Sequence, residues 1–135
     1  MYLSFREQFD LPARRIFPYF KSPADWATLY GAAGSTRVLK DDWHAVPLAK
    51  FPFPLKARNV ECVPDRQVRW IFGGFWRGVG QVSFEESNGT TIVEGFEYIT
   101  PHGLWLAASL FERRFMKDEF ERIWALGWER IRSGA

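Results

Sequence analysis

The chain has 135 residues, 47% hydrophobic and 25% charged, with 18 Lys and Arg against 16 Asp and Glu for a formal net charge of +2. That composition describes one globular domain over residues 1–135 with no basic footprint for nucleic acid. One Cys and two His exclude an internal disulfide framework and leave little from which to build a metal site, and no cofactor is expected.

The first strand is read from residues 2 to 9, where Leu3, Phe5 and Phe9 alternate with Ser4, Arg6 and Gln8, and Glu7 falls on the apolar face. Asp10 ahead of Leu11-Pro12-Ala13 reads as a cap with Pro in the first helical turn, followed by Ile16, Phe17 and Phe20 at helical spacing. Ser22-Pro23-Ala24-Asp25 is a sharper helix start, with Ser at the cap and an acid three residues on. Two short helices therefore follow the first strand. Residues 36–40 and 42–46 are candidate strands, and Pro47, Pro52 and Pro54 confine the next stretch to an edge or a loop.

Two hairpins follow. A three-residue loop, Pro64-Asp65-Arg66, sets Cys62 opposite Val68 and Val60 opposite Trp70, collecting Val60, Cys62, Val68, Trp70 and Phe72 on one face. Reading Ser87-Asn88-Gly89 as a three-residue loop pairs Phe84 with Ile92, Val82 with Glu94, Gly80 with Phe96 and Gly78 with Tyr98. Glu94, Phe96 and Tyr98 then face inward. A last helix is expected from Thr100-Pro101 to about Arg132, roughly 45 Å long, with Trp105, Leu106, Ser109, Met116, Phe120, Ile123, Trp124, Gly127 and Ile131 on one stripe and Arg113 among them. Leu104, Ala108, Phe111 and Phe115 form a second stripe, which suits a partner or a homodimer.

This order of elements resembles the START-like, or SRPBCC, superfamily. The resemblance covers the whole chain and rests on Phe9-Asp10-Leu11-Pro12-Ala13, Ser22-Pro23-Ala24-Asp25-Trp26, Val60 to Trp70 around Pro64-Asp65-Arg66, Gly89-Thr90-Thr91 and Ile99-Thr100-Pro101. It implies an α+β helix-grip fold, a curved antiparallel sheet wrapped around the long C-terminal helix, with a cavity for a lipid, sterol, quinone or polyketide. The oxygenase branch of that superfamily uses a two-His, one-carboxylate iron site. His44 and His102 stand in no such spacing.

The aromatic content of 18%, from 13 Phe, 7 Trp and 4 Tyr, fits the lining of such a cavity. The expected ligand-binding residues are Trp70, Phe72, Glu94, Phe96, Tyr98, Arg113, Phe120 and Trp124, with Glu94 and Arg113 as the polar anchors and no catalytic residue assigned. A charge on an apolar face costs several kcal/mol unless it is paired, which is why these two draw notice; the competing readings are a structural Glu94–Arg113 pair, a different register that places Glu94 outside, and an Arg113 that snorkels past the helix edge. Phe51 and Phe53 between prolines read as a hydrophobic tuck onto the core, with a lid over the cavity mouth as the alternative, and Cys62 reads as an inert inward thiol. The favoured function is a binding or carrier protein for a small hydrophobic or aromatic molecule; the alternative is an enzyme like the polyketide cyclases and dehydratases, with Glu94 or His44 moving a proton. Residues 1–7 lack a signal-peptide pattern and no apolar run reaches the roughly 20 residues of a membrane span, so a cytoplasmic location is expected.

Overall fold

Alternation turns Leu3 and Phe9 of β1 (Tyr2–Phe9) into the core and leaves Ser4, Arg6 and Gln8 exposed, in a computed structural model that describes residues 1–30, 36–48, 54–101 and 106–134, without the side chains of 106–115. Glu7, on the inner face near the strand's end, is half-buried and pairs with Arg132 at 2.5 Å. Helix α1 (Ala13–Ile16) runs into a 3-10 turn (Phe17–Phe20). Its N-cap is Pro12, with no side-chain cap bond, so Asp10 does not cap it. A carboxylate from a distant strand serves instead: Glu86 accepts from the Ala13 N–H at 2.6 Å. Helix α2 (Pro23–Leu29) begins as its sequence requires, the Ser22 hydroxyl accepting from the Asp25 N–H at 3.3 Å and donating to the Asp25 carboxylate at 3.0 Å.

The strands β2 (Arg37–Val38), β3 (His44–Val46), β4 (Leu55–Val63), β5 (Gln67–Gly73), β6 (Trp76–Ser87) and β7 (Thr90–Pro101) join β1 in a seven-stranded sheet of order β1-β7-β6-β5-β4-β3-β2. All its neighbours are antiparallel and the sheet is not closed. Helix α3 (Leu106–Arg132) buries Met116, Phe120, Trp128 and Ile131. It packs on the same side of the sheet as α2, and a Cβ at Gly127 would lie 3.4 Å from Leu29. One contiguous core joins the helices to the inner sheet face. The architecture is α+β, and none of the described helices is long and apolar enough to cross a membrane.

Both hairpins differ in part from the sequence reading. Around Pro64-Asp65-Arg66 the pairs Val63↔Gln67 and Cys62↔Val68 hold, but the register shifts between Asn59 and Glu61, so Asn59 rather than Val60 faces Trp70. Val60 sits at that bulge and is exposed, and Cys62, expected inward, is exposed as well because that end of β4 runs past the core. At the second hairpin Ser87 pairs with Thr90. The turn is thus the two-residue Asn88-Gly89, with φ of 53° and 79°, the left-handed pair that a type I′ turn needs. The shift of one residue exchanges the faces of β7. Thr91, Val93, Glu97 and Ile99 are buried; Glu94 and Tyr98 are exposed. Thr100 and Pro101, expected to open the last helix, belong to β7.

Candidate functional site

Trp70 of β5 stands opposite Gly80 of β6, and Gly80 opposite Glu97 of β7. A Cβ on Gly80 would fall 2.3 Å from the Trp70 ring, so only Gly leaves room for the indole to lie over the middle strand. Across that gap the Trp70 Nε1–H donates to the Glu97 carboxyl at 3.2 Å. From α3 the Trp124 Nε1–H donates to the other carboxyl oxygen. Glu97 is 4% exposed, the one buried acid on the inner sheet face among the described residues. Burial disfavours its charged form, the two indole donors favour it, and burial prevails, pushing the carboxyl up to about 7. The other buried acid, Glu119 on α3, is ion-paired to Arg122 at 2.5 Å.

Glu97 lines a small cavity between the sheet, α2 and α3, together with Trp26, Tyr30, Phe120, Ile123 and Trp124 and a wall of Leu29, Leu48 and Leu55. Two of these residues carry a buried polar atom with no hydrogen-bond partner among the described residues, the Tyr30 hydroxyl and the Trp26 Nε1–H. Burial, and then the nearby charge of Glu97, holds the Tyr30 phenol well above its usual range, so it stays protonated. The aromatic wall is continuous: Trp26 lies 6.3 Å from Trp70, Trp70 6.3 Å from Trp124, and Trp124 4.6 Å from Phe5 and 5.2 Å from Trp128. The free space is about 20 Å³, room for about one water-sized group. Between the sheet, α2 and α3 the described residues thus leave only this small space, not the spacious cavity expected there.

The expected site residues separate accordingly. Phe120 and Trp124 line the cavity, while Trp70 is buried behind it and grips Glu97. Phe72 is buried in the core and is not part of the cavity wall. Glu94 is corrected: it lies on the outer face, paired with Arg6 at 2.8 Å. Phe96 shares that face, half-buried and stacked on Tyr2, and Tyr98 is 52% exposed. The one-residue change of register moves all three together. The side chain of Arg113 lies outside the described residues, as do Phe51, Phe53, His102 and Leu104 and the side chains of Ala108, Phe111 and Phe115. His44, half-buried on β3, has its Nδ1 3.0 Å from the Asp42 carbonyl and takes no part in the cavity. The sequence reading missed Glu97, Trp26 and Tyr30; the signal for Glu97 was the Asn88-Gly89 pair, and the signal for Trp26 was its place on the helix that Ser22 caps.

No protein-family model matches the sequence, and no curated protein matches it. Solved structures do. A conserved protein from Geobacillus kaustophilus superposes with a TM-score of 0.76 at 9% identity, over 99% of this chain and 94% of that one. TTHA0849 from Thermus thermophilus gives 0.72 at 12% identity, over 100% and 99%. XoxI from Bacillus cereus gives 0.67 at 11% identity, over 98% and 94%. At such identities the likeness establishes a shared fold and nothing about ligand or activity.

Proposed function

We propose that the chain is a START-like binding or carrier protein of the helix-grip type, holding a small hydrophobic or aromatic molecule between the sheet and α3 with the molecule's polar end at Glu97. The observation that carries this reading is the buried Glu97 carboxyl in a cavity with otherwise apolar walls, two of whose lining residues, Trp26 and Tyr30, have a buried polar atom without a partner among the described residues. Buried polar groups without partners cost roughly 1–3 kcal/mol each, and a bound polar group would remove that cost. Affinity would come from covering ligand carbon with Phe120, Ile123, Trp124 and the leucines, at about 25 cal/mol per Å² before ordering costs. A ligand larger than about one water-sized group requires the wall to open. Titration of the intrinsic tryptophan fluorescence with quinones, fatty acids and polycyclic aromatics tests this. Saturable one-to-one binding is expected, and no saturable binding by any class would overturn it.

A second reading is favoured by one observation. A carboxyl that titrates near neutrality, as Glu97 does, is suited to moving a proton, and the same cavity could serve a cyclase or dehydratase. Turnover that Glu97→Gln abolishes while ligand binding persists would select the enzyme.

A further inference from the structure

Strand β1 ends the sheet, with β7 on one side and no described strand on the other. At its start Met1 and Ile99 exchange both backbone hydrogen bonds at 2.9 Å. In an antiparallel pair such positions alternate with ones whose N–H and C=O point away. In the register of β1, Leu3, Phe5, Glu7 and Phe9 therefore bond β7, while Ser4, Arg6 and Gln8 turn their backbone groups to the open side. The described residues give those outward groups no partner. An open strand edge of this kind is a template for another strand.

Two grooves follow the edge. The first, of about 300 Å³, lies between Phe5 and Glu7 of β1 and Glu121, Trp124, Glu129 and Arg132 of α3. The second, of about 340 Å³, continues past Phe9 to Asp10, Arg15 and Tyr19. Arg132 borders both, paired to Glu7 at 2.5 Å and lying 4.7 Å over the Phe9 ring. The first groove is acidic although the whole chain carries +2. Glu7 is matched by Arg132, but Glu121 meets only Lys117, at 3.9 Å on the exposed helix surface, and Glu129 has no ion pair among the described residues.

We propose that the open edge of β1 receives an extended, lysine- or arginine-bearing segment of a partner protein as an added antiparallel strand, with its basic side chains in the groove at Glu121 and Glu129. Ser4, Arg6 and Gln8 supply the backbone bonds. The stems of the basic side chains cover Phe5 and Trp124 while their charges meet the carboxylates. A second copy of the chain is a poorer occupant. The inner face of β1 carries Leu3, Phe5, Glu7 and Phe9, so two β1 edges pairing would bring another carboxylate and no cation into the groove. The proposal does not depend on the ligand reading above.

Three peptides as long as β1 test this by calorimetry and amide hydrogen exchange: one alternating lysine and threonine, one with glutamate in place of lysine, and the lysine peptide with every backbone nitrogen methylated. The lysine peptide is expected to bind one-to-one and about tenfold or more tighter than either of the others. It should slow exchange of the Ser4, Arg6 and Gln8 amides. Replacing both exposed acids, Glu121→Gln with Glu129→Gln, should weaken it about threefold or more with little change in thermal unfolding. Equal binding by the methylated peptide would overturn the added strand, and equal binding by the glutamate peptide, or by the double variant, would overturn the acidic groove as the basis of recognition. If no peptide binds and the three amides become protected as the protein is concentrated, a second copy fills the edge and the proposal is wrong. If no peptide binds and the amides stay unprotected, the edge is not a docking surface.

Discussion

The Trp70 indole lies over Gly80 and donates to Glu97 at 3.2 Å, so one hydrogen bond ties β5 to β7 above the strand between them. The bond requires a residue without a side chain at position 80. It also requires the β7 register that faces Glu97 inward. Glycine at 80, tryptophan at 70 and the turn at 88–89 are therefore linked in a single arrangement.

Gly80→Ala should displace the Trp70 indole, since a Cβ there falls 2.3 Å from the ring. Overpacking of this kind costs about 1–3 kcal/mol. Urea denaturation should register that loss and near-UV circular dichroism a changed tryptophan environment. A variant as stable as the parent, with the same near-UV spectrum, would contradict the close approach.

Stability should depend on pH through Glu97. Its folded carboxyl binds a proton up to about pH 7, against 4.5 for the ordinary group, so the folded state holds more protons between those values. The stabilisation is fully present below about pH 4.5, is lost as pH rises to about 7 and is flat beyond. The total is about 3 kcal/mol. Glu97→Gln should remove this contribution, so the stability of the parent relative to the variant should fall by about that amount from pH 4 to pH 8. A constant difference would place the carboxyl in water.

Glu94→Ala and Arg6→Ala should each cost less than about 1 kcal/mol, because their 2.8 Å pair is exposed on both sides. A loss of about 3 kcal/mol or more in thermal or urea unfolding would instead put Glu94 in the interior and restore the alternative register.

The β6–β7 turn can be tested directly. Asn88 adopts φ of 53°, which a β-branched side chain resists, so Asn88→Val should destabilise by about 1–2 kcal/mol. No change in the unfolding midpoint would argue against the left-handed turn.

What the sequence made legible, and what it did not, follows from these elements. The element order and the first strand were readable because β1 alternates cleanly. Ser22 could be read as a cap, because its hydroxyl and Asp25 stand at capping-box spacing. The face of β7 was not readable from polarity, because both alternations look alike. One set, Ile92, Glu94, Phe96 and Tyr98, carries a single acid among apolar residues, and so does the other, Thr91, Val93, Glu97 and Ile99. The outer set is rich in aromatics because Phe96 stacks on Tyr2 at the surface. Turn chemistry alone separated the two, and Asn-Gly selects the two-residue loop. The Asp10 cap failed for another reason: Glu86, distant in sequence, arrives at the same N-terminus by tertiary contact.

The central claim, that Glu97 is the interior carboxyl of the cavity, is tested most directly by following the Glu97 side-chain carboxyl carbon by NMR as pH is varied, with Glu97→Gln to assign the resonance. The account expects a midpoint near 7, well above the ordinary carboxylate range. A midpoint close to that of a free glutamate would contradict it.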